Sequence, residues 1–442
     1  MRSNNLMRIT AAAGVAALAL AACSPSTTPT TAPTGGATTT GGTTGGGEQI
    51  TLTVATFNEF GYDNLFDEYT SLNPNVKVVG KKAATSDEAR ENFMTKLAAG
   101  SGLSDIEGVE VDWLPEIMQS SDLLADLTDP ALEGRWLDWK AAQATTGDGK
   151  LVGYGTDIGP EAVCYRADLF EAAGLPTDRA EVATLFGSTW EDYFAAGKQF
   201  VAKSDAAWYD SADAIFQGMV NQVANPFSST EPEETLIPLD DNAPIRAIYD
   251  QLLAASVDDG LSAGLQQWTP DWQNAFQNKD GGFATMLCPG WMLGVIEGNA
   301  AGMEGWDIAN QFPGGGGNWG GSFLTVPAQG KNVDEAKKLA AWLTAPEQQI
   351  KAFKLKGTFP SQVDALSSDD LLSVTNPFFN DAPTGQILAD RAKAVTVVPF
   401  KGPNYFAYRA SISNAINRVD VDKTDSPDDS WKTAASDISA LG

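Results

Sequence analysis

The sequence has no histidine among its 442 residues. Catalytic triads and dyads that depend on histidine, and metal sites with histidine ligands, are therefore excluded. Basic residues are also scarce, because 29 Lys and Arg stand against 57 Asp and Glu, for a formal net charge of −28. Phosphate recognition needs clustered positive charge, so this balance argues against a nucleic-acid partner and against adsorption to an anionic membrane surface.

Apolar and aromatic residues, in contrast, are plentiful. Hydrophobic residues make up 43% of the chain and include 12 tryptophans, whereas charged residues make up only 19%. Such a composition can support a sizeable core, and the length suggests either two or three ordinary domains or two large lobes. An acidic, tryptophan-rich chain without histidine is more typical of a binding protein than of an enzyme.

The N-terminal region has the pattern of an export signal. Arg2 and Arg8 precede an uncharged run, Ile9 to Ala22, which is too short to span a bilayer but fits the apolar region of a signal peptide. The run ends in Leu20-Ala21-Ala22-Cys23, which resembles the bacterial lipobox, whose cysteine becomes lipid-modified. We predict a lipoprotein signal peptide at residues 1–22, with lipid attachment at Cys23; the alternative is an ordinary secretory signal with an incidental cysteine.

A segment without charge follows the lipobox. Residues 23–47 consist almost entirely of Thr, Gly, Pro and Ser, a composition that cannot bury a core. We predict a flexible linker with a root-mean-square reach of roughly 25–30 Å. The body of the protein is then held just off a membrane surface by its lipid anchor.

Strand and helix patterns alternate from Gln49 onward. Ile50, Leu52 and Val54 alternate with small or polar residues and predict a strand, and Leu65 to Leu72 has helical spacing. Further strands are predicted at Val76–Val79, Ile106–Val111, Val163–Tyr165, Phe283–Leu287 and Phe323–Val326. Further helices are predicted at Asp87–Ala99, Pro115–Ser120, Asp168–Ala173, Trp190–Lys203, Ile245–Ala255, Trp272–Asn278 and Val333–Leu343. The alternation predicts an α/β fold, in which ligands usually bind at loops after the carboxyl ends of strands.

Several short motifs follow one another in an order and spacing that is specific when they are taken together. They are Gly155–Pro160, Cys164–Phe170, Ala172–Thr177, Ser188–Trp190, Gly320–Ser322, Ala341–Gln349 and Gly357–Ser361. In these motifs residues 48–442 resemble the family 1 extracellular solute-binding proteins of bacterial ABC sugar importers. Trp136–Lys140 and Cys288–Trp291 are similar to segments of the actinobacterial binders of cellobiose and cello-oligosaccharides.

The resemblance implies two α/β lobes that are joined by a multi-strand hinge, with the ligand in the cleft between them. The implied crossings lie near Asp157–Ala162, Trp319–Phe323 and Gly357–Ser361. The N-terminal lobe would then comprise residues 48–160 and 322–358, and the C-terminal lobe residues 161–321 and 359–442. In this class of protein the lobes close around the ligand like a hinge.

A sugar presents apolar C–H faces and a rim of hydroxyl groups, so its site needs flat aromatics beside paired donors and acceptors. Trp291 is the first candidate, because it follows a predicted strand on a loop. The other aromatic candidates are Trp319, Trp113, Tyr405 and Phe406, and the polar candidates are Asp157, Glu110, Asp112, Asn58 and Glu59. The alternative for each is a core position or a helix cap.

Other conspicuous residues are interpreted as structural. Trp136, Trp190 and Trp342 lie within or beside helices and are expected to pack. Arg409 is expected on the face of the last helix, and the alternative is a hydrogen bond to a sugar hydroxyl. Cys164 and Cys288 end or follow predicted strands, and outside the cytoplasm such a pair favours a disulfide over two buried thiols.

We therefore predict a binding protein without catalytic residues, cofactor or metal. It would bind cellobiose or a cello-oligosaccharide at the outer face of the cell membrane and deliver it to the permease subunits of an importer with a cytoplasmic ATPase. The alternatives are another oligosaccharide, a non-sugar solute, or a secreted glycoside hydrolase that uses two carboxylates.

Overall fold

The computed structural model describes residues 49–230, 234–278 and 282–441. The predicted signal peptide, Cys23 and the linker lie outside these residues. Strands and helices alternate along the described chain, so the architecture is α/β, as the sequence predicts.

The described elements have the following bounds. The strands are β1 (Ile50–Phe57), β2 (Val76–Ala83), β3 (Ile106–Glu110), β4 (Tyr154–Gly155), β5 (Asp157–Ile158), β6 (Glu161–Arg166), β7 (Ala207–Tyr209), β8 (Ser228–Ser229), β9 (Thr235–Leu236), β10 (Phe283–Pro289), β11 (Trp306–Ala309), β12 (Ser322–Thr325) and β13 (Phe359–Pro360). The helices are α1 (Asp63–Leu72), α2 (Ser86–Ala98), α3 (Leu114–Met118), α4 (Asp138–Gln143), α5 (Ala167–Ala172), α6 (Arg179–Phe186), α7 (Trp190–Val201), α8 (Ala212–Val220), α9 (Ala243–Leu253), α10 (Pro270–Ala275), α11 (Gly290–Asn299), α12 (Val333–Leu343), α13 (Pro346–Lys356), α14 (Val363–Leu366), α15 (Asp369–Leu372), α16 (Thr384–Ala394), α17 (Tyr405–Asp420) and α18 (Pro427–Ser439).

The first sheet has the strand order β2-β1-β3-β12-β4. β1 pairs in parallel with β2 and β3, whereas β12 pairs antiparallel with β3 and β4. Leu52 and Val54 of β1 are buried because side chains alternate between the two faces of a strand. Leu65 and Phe66 of α1 pack into the same core, and we call this sheet with its helices the first lobe.

The second sheet has the strand order β11-β6-β10-β7, and β6 and β10 are buried along their whole length. Val163 and Tyr165 of β6 belong to one apolar core, while Ala162 and Cys164 belong to another. Both faces of the sheet are therefore covered, and we call this sheet with its helices the second lobe.

Connections between the two sheets bring polar side chains to the gap between the lobes. The chain leaves the first sheet after β4 and enters the second at β6, and it returns between β11 and β12. On the way, β5 pairs antiparallel with β13, so that Pro360 lies opposite Asp157. The short strands thus fix Asp157 at the boundary of the lobes.

Cys164 and Cys288 lie on the neighbouring strands β6 and β10. Their sulfur atoms are bonded in the structure at 2.01 Å, and their Cα atoms are 5.5 Å apart. Both residues are fully buried in the second lobe, so the bond joins the two central strands of its sheet.

A helix that crosses a bilayer must be about 20 residues long and predominantly apolar. Over the described ranges, none of the helices meets both requirements for a membrane span.

Candidate ligand-binding cleft

A cavity of about 500 Å³ lies between the two lobes. Small-molecule sites usually measure roughly 300–1,000 Å³, so this cavity can hold a ligand of that class. The residues that line it and that carry the chemistry are Asn58, Glu59, Glu110, Asp112, Asp157, Asp213, Gln217, Gln266, Gln267, Trp268, Trp291, Trp319, Lys356, Phe406, Arg409, Ser413, Asn414 and Asn417.

The first lobe contributes the residues that follow its parallel strands. Glu110 ends β3 and Asn58 follows β1, and the carboxyl ends of parallel strands lie at the same edge of a sheet. Asn58 has a φ of 45°, a left-handed conformation that asparagine adopts more readily than most residues. Glu59 lies at the rim, where its carboxylate pairs with Lys82 and Lys356.

A buried ion cluster stands behind the strand end of β3. The Lys401 Nζ contacts Oδ1 of Asp112, and the Arg409 Nε lies 3.3 Å from its Oδ2. Burial alone would raise the pKa of Asp112, but the two cations outweigh burial and lower it. Burial and the neighbouring Asp112 charge raise the pKa of Glu110 to about 8. Asp112 is therefore ionised at neutral pH, whereas Glu110 is largely protonated and can donate a hydrogen bond to a ligand.

Asp157 connects the two crossings at the base of the cleft. Its Oδ1 accepts hydrogen bonds from the Ser322 backbone N–H at 2.9 Å and from the Thr156 hydroxyl at 2.7 Å. Part of its hydrogen-bonding capacity therefore holds backbone in place, and a carboxylate has further lone pairs for a ligand.

Three tryptophans of the second lobe form an aromatic wall. The rings of Trp268 and Trp291 are nearly parallel, with centroids 6.2 Å apart, and Trp319 stands edge-on to Trp291 at 5.3 Å. The Trp291 indole N–H donates to the Trp319 carbonyl at 3.0 Å. A Cβ at Gly159 would lie 1.7 Å from the same carbonyl, so the close approach of this backbone requires glycine.

The chemistry of the cleft is that of recognition. Flat apolar faces lie on one side, and amide, hydroxyl and carboxyl groups lie around them, which suits a ligand with apolar faces and several hydroxyl groups. Among the described residues, no group of three or more cysteine or acidic side chains is arranged to hold a metal ion.

The sequence model of one family, described as bacterial extracellular solute-binding protein, matches residues 64–380. This match spans more than half of the chain. The chain belongs to the bacterial extracellular solute-binding protein family. It is a binding protein rather than an enzyme, and its family acts outside the cytoplasm.

Similar proteins share this architecture. One of them is an extracellular solute-binding protein of family 1 whose crystal structure has been solved. Its sequence is 50% identical, and the matched region covers 88% of this solute-binding protein and 99% of the other chain, with a TM-score of 0.78. The arabinooligosaccharide-binding protein of Bacillus subtilis is 26% identical over 340 residues, which is 72% of this chain and 75% of the relative.

A further solved structure shows the same two-lobed fold. It is an ABC transporter-associated binding protein of B. animalis subsp. lactis in complex with beta-1,6-galactobiose. It is 20% identical, covers 89% of this chain and 97% of its own, and has a TM-score of 0.75. The predicted fold class is therefore confirmed.

Most of the predicted site residues of this solute-binding protein lie at the cleft. The lining includes Asn58, Glu59, Glu110, Asp112, Asp157, Trp291, Trp319 and Phe406. Trp291 lies in the first turn of α11 rather than on the predicted loop.

Two predicted residues do not line the cleft. Trp113 is 0% exposed, packs against Phe93 and donates its indole N–H to Ser86, because the chain turns inward as it enters α3. Tyr405 is buried against Phe227, with ring centroids 4.9 Å apart. Successive helical residues point about 100° apart, so only Phe406, the neighbour of Tyr405, faces the cleft.

Of the four residues interpreted as structural, three lie away from the cavity and one lines it. Trp136 stacks on Tyr154 at 4.9 Å and Trp342 packs edge-on against Tyr69 at 5.2 Å, while Trp190 is buried in the second lobe. None of these three lines the described cavity. Arg409 does line it, so its placement on a helix face is only part of its role.

Trp268 is a cleft residue that the sequence patterns did not reveal. It follows Gln266 and Gln267, which also line the cavity, in the loop before α10. An aromatic residue beside two amides just before a helix start could have identified it.

A polar stripe on α8 and α17 was also missed. Asp213 and Gln217 lie one turn apart on α8, and Ser413, Asn414 and Asn417 lie together on α17. Gln217 Nε2 is 3.4 Å from Oδ1 of Asp213 and 3.4 Å from the Ser413 hydroxyl. Burial raises the pKa of Asp213. Polar residues at helical spacing in otherwise buried helices are the pattern that could have indicated this surface.

Proposed function

We propose that this protein is the oligosaccharide-binding component of an ABC importer. The observation that carries this proposal is the wall of Trp268, Trp291 and Trp319 beside polar groups of both lobes in one cavity. Indole faces suit the C–H faces of sugar rings, and hydrogen bonds from charged groups to hydroxyls are stronger than those between neutral groups.

The ligand is proposed to be a neutral sugar. Acidic groups outnumber basic groups among the cleft residues, and the cation Arg409 already pairs with Asp112. A carboxylate-bearing sugar would meet net repulsion in such a site, whereas a neutral sugar would not.

Two oligosaccharide classes compete within this proposal. The resemblance in Trp136–Lys140 and Cys288–Trp291 favours cellobiose or a cello-oligosaccharide. The Bacillus subtilis relative and a second relative from Halalkalibacterium halodurans, 23% identical, are both named as arabinooligosaccharide-binding proteins. Arabino-oligosaccharides are therefore the second candidate.

The proposed transport cycle uses the two lobes. The N-terminal lobe comprises residues 48–160 and 322–358, the C-terminal lobe comprises residues 161–321 and 359–442, and they close on the sugar by hinge motion. The closed protein then docks on the permease subunits, and a cytoplasmic ATPase drives uptake. The signal peptide at 1–22, the lipid at Cys23 and the linker to residue 47 keep the protein at the outer face of the membrane.

Isothermal titration calorimetry with a glycan panel tests the proposed ligand. A soluble chain of residues 24–442 is titrated with cello-oligosaccharides, arabino-oligosaccharides, galactobiose, a uronate oligosaccharide and a polyamine. We expect saturable binding of one neutral oligosaccharide series and none of the uronate. Binding of the polyamine or the uronate alone would contradict the proposal.

Membrane fractionation tests the anchor. Cys23→Ala should release the protein into the medium or leave it unprocessed, because the lipid acceptor is gone. Membrane-bound Cys23→Ala protein that still incorporates a labelled fatty acid would contradict attachment at Cys23.

A further inference from the structure

The segment that carries Trp268 has an unusual backbone. Trp268 has a φ of 70°, in the left-handed region that large side chains rarely adopt. Its ring lies between Trp291 and Trp272, with centroids 6.2 Å and 5.4 Å away. Such a conformation persists only where the surroundings determine it. Some group near this segment must therefore hold it.

Asp210 accepts several hydrogen bonds from this segment. Its Oδ2 accepts hydrogen bonds from the Gln267 amide at 2.8 Å and from the Trp272 indole at 2.9 Å. Its backbone carbonyl accepts from the Leu265 N–H at 2.9 Å. Asp210, the residue that follows β7, thus contacts the chain on both sides of Trp268.

The chemistry of these contacts calls for a carboxylate. Oδ1 of Asp210 accepts from the Ser211 N–H at 2.9 Å, so the two oxygens together receive three N–H donors. An asparagine would offer one acceptor oxygen and turn an amino group toward a donor. Burial raises the pKa of Asp210 to about 6, so the group is a carboxylate at neutral pH.

Asp210 itself is 0% exposed and does not line the cavity, whereas Gln267 and Trp268 do. We propose that Asp210 is a positioning residue for the sugar site, which fixes Gln267 and Trp268 in the geometry that receives the ligand. The proposal rests on the proposed function for its effect on affinity, but its effect on the tryptophan geometry is independent of any ligand.

Circular dichroism of the unliganded protein tests the geometry directly. Closely spaced indoles couple and give an exciton signal, and Trp268→Phe supplies the reference spectrum without the Trp268 contribution. Asp210→Asn should shift the spectrum toward this reference. Gln267→Leu, which keeps Asp210, should give a smaller shift in the same direction and serves if Asp210→Asn does not fold.

Asp307→Asn is the matched control. Asp307 is also a buried acid of the second lobe, but its partners Arg179, Asn380 and the Ile308 N–H lie outside the lining of the cavity. This variant should lose stability while its exciton signal and its affinity stay at the wild-type level.

Calorimetry with cellotriose and with arabinotriose then tests the consequence. Asp210→Asn should weaken binding of the sugar that wild type binds by about tenfold or more. In a Trp268→Ala background the same substitution should weaken sugar binding by a clearly smaller factor, because part of its effect on affinity acts through Trp268. A folded Asp210→Asn protein with the wild-type spectrum would overturn the proposal, as would equal losses of affinity in both backgrounds. If wild type binds neither sugar, the proposed ligand is wrong. The spectra still test whether Asp210 fixes the geometry of Trp268, because they need no ligand.

Discussion

At the scale of single residues, Trp291 combines a flat face with a hydrogen bond to the Trp319 carbonyl. Trp291→Ala should remove the face and weaken sugar binding by about 2–4 kcal/mol, or roughly 30- to 1000-fold in Kd. Trp291→Phe keeps a smaller aromatic face and should therefore lose less binding affinity than Trp291→Ala. Calorimetry with the best glycan measures both variants.

Trp342→Ala is the control for this prediction, because Trp342 packs on Tyr69 away from the cavity. It should lower the free energy of unfolding by about 1–3 kcal/mol and leave the affinity of the folded protein unchanged. Wild-type affinity in Trp291→Ala, or lost affinity in stable Trp342→Ala, would contradict the assignment.

Lys140 is a buried cation whose stability effect depends on pH. Its Nζ is 3.8 Å from the centroid of the Phe323 ring, has no hydrogen-bond partner in the described chain, and the residue is 1% exposed. Burial lowers the pKa of Lys140 to about 7 from its ordinary value of 10.5, although Asp157 and Glu110 oppose the shift. The folded protein therefore favours the neutral amine of Lys140. The stability that this neutral side chain contributes above pH 10.5 is lost progressively as the pH falls to about 7.

Lys140→Met should accordingly be more stable than wild type near pH 7, because methionine carries no charge to bury. The advantage should shrink as the pH rises toward 10, with a slope of up to about 1.4 kcal/mol per pH unit for one proton. Glu110, whose pKa is raised to about 8, acts in the opposite direction, so the difference between variant and wild type is the informative quantity. Denaturant unfolding at several pH values measures this difference in the free energy of unfolding. A difference that is constant with pH would refute a lowered pKa for Lys140.

Sequence reasoning at this scale found Trp291 but misplaced Trp113. Both tryptophans come within a few residues of the end of a strand, and neither the residue type nor this proximity separates a side chain that points to a cleft from one that points to a core. What separates them is the three-dimensional environment: Trp113 meets Phe93 and Ser86 in the first lobe, whereas Trp291 meets Trp319 at a crossing between lobes.

At the scale of elements, the start of α17 touches both lobes. The segment before it is tied to the second lobe by the Phe400 N–H, which donates to the Ala224 carbonyl, while Lys401 pairs with Asp112 of the first lobe. Phe406 packs against the first-lobe core, with the Arg90 guanidinium 4.5 Å from its ring centroid.

Lys401→Met should therefore destabilise the protein. The Lys401 side chain is 6% exposed, and removing one partner from a buried ion pair leaves the other charge less compensated. Because Arg409 remains beside Asp112, we expect a loss of about 1–3 kcal/mol in thermal or denaturant unfolding rather than more.

Lys338→Met is the matched control, since Lys338 pairs with Glu335 at 2.7 Å on the exposed face of α12. An exposed pair contributes about 0–1 kcal/mol, so this variant should remain close to wild type. Equal stability of the two variants would contradict a stabilising role for the buried Lys401–Asp112 pair.

Periodicity predicted helices and strands that have one buried face, whereas the helices α8 and α11 were missed. β1 and α1 were predicted because apolar and polar residues alternate along them with a clear period. α8 is buried along most of its length, so its sequence lacks an exposed polar face. α11 begins at Gly290, directly after Pro289, and both residue types are typical of turns, which is why Trp291 was assigned to a loop.

At the scale of the whole molecule, the α/β class followed from the alternation of elements, but the lobe boundaries did not. The crossings consist of short strands such as β5 and β13, each two residues long, whose pairing joins positions about 200 residues apart. No local pattern encodes so distant a pairing, so these boundaries came only from the resemblance to a family.

The disulfide has a direct chemical test. Because both cysteines are fully buried, a soluble chain of residues 24–442 is first denatured without reductant and then alkylated, and its intact mass is measured. We expect no added label before reduction and two labels after it. Two labels without reductant would refute the bond. By the chain-entropy model, closing a loop of this length stabilises the fold by about 4–5 kcal/mol at most.

The position of that bond also has a consequence for how the protein is made. The two cysteines are 124 residues apart, and strands β7 to β9 and helices α5 to α10 are synthesised between them. The bond therefore cannot form until β10, which carries Cys288, has been synthesised. Protein produced in a reducing cytosol should consequently contain a complete first lobe and a second lobe that lacks the Cys164–Cys288 bond. Heterologous expression for structural or biosensor work would have to take this difference into account.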